Sequence, residues 1–129
     1  MKRFPFAATL ACVAMMAGSA TAMAATVEVT MTAREVDIVV DNAGTKRRMW
    51  TYDGAIPGPL VRVKQGDLVK FTLKNDPGNA NSHSMDFHAA RVDVLTEFAE
   101  IKPGDTRKFE FRADYPGVFV YHCGAEAMA

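Results

Sequence analysis

The sequence predicts an all-β fold, either an antiparallel β-sandwich or a β-barrel. Beyond residue 25, short segments alternate apolar and polar residues with a period of two, the pattern of half-buried strands. Clusters of Gly, Pro, Asn and Asp separate these segments at close intervals and predict turns. No segment after residue 25 has the spacing of a normal-length helix. Many short strands joined by close turns favour a sandwich or a barrel.

The individual strands follow from this alternation in chain order. The run "TVEVTMT" opens the series, and "LVKFTLKN" is its cleanest member. The turns contain "DNAGT" and the Gly/Pro-rich corner "DGAIPGP". The predicted strands are 26–32, 34–40, 46–52, 60–63, 68–75, two strands around a Pro-Gly turn within 99–114, and 118–123. Residues 89–98 are predicted to form a short helix or an irregular loop.

Residues 1–24 have the order of a secretory signal peptide. Lys2 and Arg3 come first, the apolar run "FPFAATLACVAMMAG" follows, and the small residues Ala22 and Ala24 flank Met23 directly before the expected cleavage point. The apolar run is too short and wrongly flanked for a membrane span. An uncleaved amphipathic or buried helix is the alternative. We therefore expect cleavage after Ala24 and a periplasmic or secreted mature protein without a membrane span.

Removal of the signal peptide leaves one domain, residues 25–129 of the 129-residue chain. Loss of Lys2 and Arg3 reduces 15 basic residues to 13 against 15 acidic ones, a net charge of −2. No basic field for nucleic acid remains. Cys12 is also lost, so Cys123 is the only cysteine and an internal disulfide is excluded. A lone thiol in an oxidising compartment suggests a bound metal.

The three histidines of the mature chain lie in two short clusters, and one of these clusters also contains that cysteine. His83 and His88 lie in "HSMDFH", and His122 directly precedes Cys123 in "VFVYHC". Together they favour a metal site over scattered core histidines. A Cys/His hydrolase nucleophile is the alternative, but it requires a histidine that faces the thiolate, and neighbours on a strand point in opposite directions.

Strand alternation sorts these side chains into two groups. If both segments are extended, His83 can share a face with Cys123, while Asp86, His88 and His122 can share the other. A thiolate with imidazole suits a blue-copper electron-transfer site. Imidazoles with a nearby carboxylate suit copper or zinc with an open position, where Asp86 could move protons. Adjacent residues on one strand would join the two metals covalently.

These segments resemble the signature segments of copper-containing nitrite reductases and their two-domain multicopper oxidase relatives. The resemblance rests on "HSMDFH" (83–88) and "VFVYHC" (118–123), on "YDGAIPGPLVRVKQGD" (52–67), and on "IKPGDTRKFEFRADYPGVFVYHC". It covers most of residues 47–128. It implies a Greek-key cupredoxin-like (plastocyanin-like) β-sandwich, in agreement with the strands predicted from alternation.

The resemblance also implies residue roles. His83 and Cys123 become ligands of a type 1 copper, His88 and His122 become ligands of a type 2 copper, and Asp86 falls on the proton-delivering aspartate. The implied reaction is the one-electron reduction of nitrite to nitric oxide. The electron would come from a small redox protein, a cupredoxin or a cytochrome c, through the type 1 copper to the type 2 copper.

The chain departs from the family pattern in its last residues. In the family a second type 1 histidine and an axial methionine follow the cysteine, whereas no histidine follows Cys123. We interpret Met128 as loop packing and Met85 as core. The family takes further type 2 residues from a second domain across a trimer interface. We therefore expect a C-terminally truncated N-terminal domain without its last strand, inactive alone, and a homotrimer for the full-length protein.

Three other functions stay open at this stage. A domain of a two-domain multicopper oxidase would reduce oxygen, but the histidine pairs spaced H-x-H that favour it are absent from the sequence. A blue-copper electron carrier would not need His88 and His122. A metal-free remnant would keep only the sandwich. Asp86 favours nitrite over oxygen.

Overall fold

The computed structural model describes residues 23–125, whose regular secondary structure is almost entirely β. The elements are β1 Thr26–Val39, β2 Lys46–Tyr52, β3 Leu68–Asn75, β4 Asp86–Phe87, α1 Val94–Glu97, β5 Thr106–Arg112 and β6 Tyr121–His122. No helix among the described residues combines the length and apolarity that a bilayer crossing requires. The predicted signal peptide, Cys12 and Met128 lie wholly or largely outside the described residues.

The larger of two sheets has the strand order β2-β1-β3-β5. Its β1–β2 and β3–β5 pairs are antiparallel, but β1 and β3 run parallel, with Thr26 opposite Leu68 and Ala33 opposite Asn75. The prediction of a purely antiparallel arrangement was therefore wrong for this pair. The chain leaves β1, forms β2 on one side of it and crosses over to place β3 on the other, and such a crossover aligns β1 and β3.

A second sheet of β4 and β6 closes the core from the other side. Phe87 of β4 lies 4.9 Å from Phe71 and 5.4 Å from Phe111, measured between ring centroids. Phe109 lies 5.2 Å from Phe71 in the same cluster. Each ring buries a large apolar surface and gains from its tilted or edge-to-face neighbours. This packing fixes the short strands that carry the site residues against the large sheet.

The two predicted strands 26–32 and 34–40 are one continuous strand. The first half of β1 pairs with β3, and the second half, from Ala33 on, pairs with β2. Apolar residues occupy odd positions before Ala33 and even positions after it, which reads as a break between two strands. At this point β1 continues without interruption, but its neighbouring strand changes from β3 to β2. The next odd position holds an inward-facing carboxylate, Glu35.

Other predicted strands are shorter in the structure or do not form a strand at all. Residues 60–63 form no strand, although Val61 and Val63 pack against the core. The alternation of residues 60–63 reflects burial of one side of the segment. Within the described part of the chain the segment has no neighbouring strand in a ladder, so it is not a β-strand. The predicted strand 118–123 reduces to Tyr121–His122, and the strand before the Pro-Gly turn reduces to a bridge between Ile101 and His83.

Two predicted strands, the short helix and the core position of Met85 agree with the structure. Strands 46–52 and 68–75 have the predicted bounds. Residues 89–98 contain one short helix, α1, capped by the Asp93 carboxylate on the Leu95 amide. Met85 is 1% exposed and belongs to the core.

Asp67 joins the start of β1 to the turn before β3. Its carboxylate accepts hydrogen bonds from the Ala25 amide and the Lys64 amide, both at 2.9 Å. These bonds, that from Ala25 above all, outweigh the opposing effect of burial and hold the pKa of Asp67 below its ordinary value. The ionised form is thus stabilised by folding.

We expect Asp67→Asn to lower the melting temperature by a few degrees at neutral pH. The amide has a single acceptor oxygen, so one of the two backbone amides loses its partner. Because a depressed pKa contributes stability that is lost as pH falls, the difference from wild type should shrink below about pH 4. Thermal unfolding followed by circular dichroism from pH 3 to 8, with exposed Asp37→Asn as control, measures this. A difference independent of pH would contradict the assignment.

Candidate metal centre

The small sheet places the candidate ligands next to one another. Asp86 of β4 pairs with His122 of β6, and Phe87 pairs with Tyr121. The Tyr121 hydroxyl donates to the carbonyl of Pro59 at 2.7 Å. The β4–β6 pair therefore has a fixed register. Residues that flank β4 in the sequence come close to residues that flank β6.

His83 and Cys123 meet on the buried side of this strand pair. His83 Nδ1 lies 3.8 Å from Cys123 Sγ, and His83 is only 2% exposed. The Ser84 amide donates to Sγ at 3.4 Å, and the Gly124 amide donates to Ser84 Oγ at 2.8 Å. The thiol is therefore half-buried, in a polar niche at the edge of the core.

The surroundings of Cys123 favour the thiolate. Burial alone would raise its pKa, but contacts with His83 and with the Ser84 and Ala125 amides stabilise the anion and lower the pKa to about 7. Burial lowers the pKa of His83, whereas its contacts with Cys123 and Glu35 outweigh burial and raise it. A thiolate is the form that binds metals.

His88 and His122 meet on the opposite, exposed side. Their Nε2 atoms are 2.9 Å apart, and the Asp86 carboxylate lies within 4.8 Å of both. His122 Nδ1 lies 3.1 Å from the Cys123 carbonyl, which can only accept, so this contact favours the tautomer with its proton on Nδ1. In that tautomer the Nε2 lone pair of His122 faces His88.

Both donor sets fit a metal ion. Metal–nitrogen bonds of about 2.0–2.1 Å and a metal–sulfur bond of about 2.3 Å allow two nitrogens on one ion to be up to about 4.2 Å apart and a nitrogen–sulfur pair up to about 4.4 Å. The Nε2–Nε2 distance of 2.9 Å and the Nδ1–Sγ distance of 3.8 Å both lie within these limits. Thiolate with imidazole suits copper, and imidazoles beside a carboxylate suit copper or zinc.

The structure thus separates the five candidate residues into two groups, as alternation along β6 predicts. His83 faces Cys123, and His88 faces His122 and Asp86. The peptide bond between His122 and Cys123 connects the two groups. Because neighbouring residues of an extended segment point to opposite faces, His122 at the end of β6 and Cys123 directly after it belong to different groups.

Sequence reasoning missed Glu35 as part of this site. Glu35 Oε1 lies 3.3 Å from His83 Nε2 and also accepts from the Asn81 amide at 2.9 Å. Burial alone would raise its pKa, but hydrogen bonds from Asn81, with a further contribution from His83, outweigh burial and lower it. A carboxylate at an inward position of an alternating strand was the available signal, because such a group requires buried partners.

Comparison with known proteins identifies the family. Residues 32–128 match the family model described as multicopper oxidase. That match covers most of the chain. The chain belongs to the multicopper oxidase family.

Individual relatives of this multicopper oxidase domain are copper proteins. A copper-containing nitrite reductase from Neorhizobium galegae is 43% identical over 103 residues, which are 79% of this chain and 27% of the relative. A solved copper nitrite reductase from Nitrosomonas europaea is 59% identical with a TM-score of 0.78, covering 80% of this chain and 36% of that one. A solved multicopper oxidase is 27% identical with a TM-score of 0.72, covering 81% of this chain and 37% of that one.

These similarities confirm the predicted fold class. The multicopper oxidase domain is a cupredoxin-like β-sandwich, and the relatives indicate copper as its metal. The chain spans about a quarter of the length of the curated relatives it matches. The resemblance found in the sequence to copper nitrite reductases and multicopper oxidases is thereby confirmed.

Proposed function

We propose that this chain is the N-terminal copper domain of a nitrite reductase-like enzyme that reduces nitrite to nitric oxide with one electron. The nitrite reductase relatives and the two candidate ligand groups on opposite sides of the His122–Cys123 segment support this proposal. The observation that carries it is the grouping of Asp86 with His88 and His122 on the exposed face.

In this proposal the buried pair His83 and Cys123 holds a type 1 copper, and the exposed pair His88 and His122 holds a type 2 copper. Copper at these positions would supply one-electron transfer and an open coordination position for nitrite. Cys123 contributes the thiolate that suits the electron-transfer site. His122, joined to it by one peptide bond, contributes an imidazole to the substrate side.

Asp86 holds and delivers a proton on the substrate side. Reduction of nitrite to nitric oxide consumes one electron and two protons and releases one water, so the site needs a proton donor close to the substrate. The Asp86 carboxyl lies with both imidazoles and is half-buried. A carboxyl group in this position is suited to general acid catalysis.

The wider assembly is part of the proposal. A small redox protein, a cupredoxin or a cytochrome c, would supply the electron. The exposed His88 and His122 leave room for further ligands, which a neighbouring domain in a homotrimer would provide. Export to the periplasm would follow from the signal peptide expected at residues 1–24.

Oxygen reduction is the second candidate function. The match to the multicopper oxidase family and the solved multicopper oxidase at 27% identity support it. In that case His88 and His122 would be ligands of a multinuclear copper cluster. Asp86 favours nitrite, because it falls on the proton-delivering aspartate in the resemblance to the nitrite reductases.

Copper spectroscopy of the complete copper-loaded enzyme tests the assignment. We expect a thiolate-to-copper absorption band that Cys123→Ser abolishes while the second copper signal in electron paramagnetic resonance persists. His88→Ala with His122→Ala should give the converse, because each change removes ligands of one group only.

Nitrite should perturb only the signal that depends on His88 and His122. Exposed Asp114→Asn serves as a control that leaves both signals unchanged. Loss of both signals from either ligand variant, in a protein that stays folded, would contradict two separate sites. Rapid oxidation by oxygen without any effect of nitrite would favour the oxidase.

A further inference from the structure

Glu35 is a carboxylate in a position that the strand pattern reserves for apolar residues. Along β1 the inward positions before it are occupied by Val29, Met31 and Ala33, and Glu35 continues the same face at 7% exposure. Burying an ionised carboxylate is costly unless hydrogen bonds and charges compensate it. The groups that compensate the buried Glu35 carboxylate therefore indicate what this residue does.

Four N–H groups converge on one oxygen of this carboxylate. Oε1 lies 3.2 Å from the Ala80 amide, 2.9 Å from the Asn81 amide and 3.0 Å from Asn81 Nδ2. The fourth is His83 Nε2 at 3.3 Å. Because the first three groups can only donate, Oε1 acts as an acceptor, and an acceptor at this distance favours the His83 tautomer with its proton on Nε2.

The segment that carries these donors is itself held in place. Asn79 Nδ2 donates to the Ala33 carbonyl at 2.8 Å and to Asn75 Oδ1 at 2.7 Å. Asn75 Nδ2 donates to the Asn81 and Ile101 carbonyls. This partly buried network sets the position of the chain just before His83, so Glu35 meets His83 in a fixed geometry.

Glu35 and Cys123 contact opposite nitrogens of the same imidazole. With Nε2 occupied by Glu35 at 3.3 Å, Nδ1 is the nitrogen that faces Cys123 Sγ at 3.8 Å. Trp50 packs edge-on against the His83 ring, with 4.5 Å between centroids, and restricts its rotation. The ring is thus fixed in both orientation and tautomer.

We propose that Glu35 is a positioning residue of the buried site: it directs His83 Nδ1 toward Cys123 and makes the bound metal more stable in its higher charge state. This inference rests on the proposed role of His83 and Cys123 as copper ligands. A carboxylate on the distal nitrogen of a ligating histidine fixes the ring and raises its basicity. A negative charge there favours Cu(II) over Cu(I), since Coulomb attraction grows with the metal's charge.

The first experiment uses the metal-free chain and does not depend on copper. Nitrogen-15 NMR of the imidazoles should show a proton on His83 Nε2 that is shifted downfield and exchanges slowly. In Glu35→Gln, which keeps the shape and an acceptor oxygen, this proton should move upfield and exchange about tenfold faster. Exposed Glu28→Gln, on the same strand, should leave it unchanged.

The second experiment uses the copper-loaded complete enzyme. Glu35→Gln should raise the reduction potential of the thiolate-bound copper, because about a tenfold loss in the ratio of Cu(II) to Cu(I) binding constants corresponds to 59 mV for one electron. Glu28→Gln should leave the potential at the wild-type value. A purely structural defect would weaken the binding of both oxidation states alike and would not move the potential.

The outcomes separate this inference from the proposed function. A wild-type His83 without a proton on Nε2, or a potential that Glu35→Gln does not change, overturns the role of Glu35 alone. A wild-type enzyme without any thiolate–copper band overturns the copper assignment of His83 and Cys123 and the inference with it. A changed proton resonance together with a raised potential supports it.

Discussion

Asp86→Asn is expected to lower the rate of nitrite reduction by the complete enzyme by about 10²–10⁴-fold, the usual contribution of a general acid. Asparagine has nearly the same shape but cannot hold or deliver a proton. Asp86 lies beside His88 and His122, and the substitution leaves both imidazoles in place, so copper should still bind. Steady-state nitrite reduction with a chemical electron donor measures the rate, and copper analysis measures the copper content.

Asp37→Asn is the matched control, since it makes the same chemical change at an exposed position of β1. It should leave the rate unchanged. If Asp86→Asn retains full activity with full copper content, Asp86 is not the proton donor. If it instead loses the second copper, Asp86 acts as a ligand or supports one, and the role proposed here is wrong.

Phe71→Ala is expected to destabilise the domain by about 3–5 kcal/mol, the range for a buried phenylalanine replaced by alanine. Phe71 is 1% exposed and lies against Phe87 and Phe109. Its ring therefore connects the four-stranded sheet to β4, which begins at Asp86. Loss of the ring leaves a cavity between the two sheets. Urea unfolding followed by fluorescence gives the change in free energy.

The control for this substitution is Phe119→Ala. Phe119 is 43% exposed, so its removal should cost less than about 1 kcal/mol. A similar loss in both variants would show that the cluster around Phe71 does not determine stability. A further consequence of Phe71→Ala is a less ordered β4, visible as faster amide exchange at Phe87.

Much of the fold follows from local pattern. The bounds of strands 46–52 and 68–75 could be predicted because one face of each is buried and the other exposed. Residues 60–63 and 118–120 have strand-like composition, yet they lack a ladder partner among the described residues. Pairing is a tertiary property, and alternation reports only burial.

The candidate site was predictable to a similar extent. The adjacency of His122 and Cys123 and the spacing within "HSMDFH" were enough to sort five residues into two groups. Glu35 was not found, because it lies 48 residues from His83 in the sequence. Only the pairing of β1 in the large sheet and the network of asparagines bring it to the ring.

The sequence by itself determined which residues are candidate ligands and how alternation divides them into two groups, because alternation is a property of the backbone. Only the tertiary structure decided that β1 is one strand running parallel to β3, and that its single inward carboxylate, Glu35, meets His83. These depend on contacts between segments far apart in the chain. The adjacent residues His122 and Cys123 point to opposite faces because of alternation. The packed sandwich brings His88 to the first and His83 to the second.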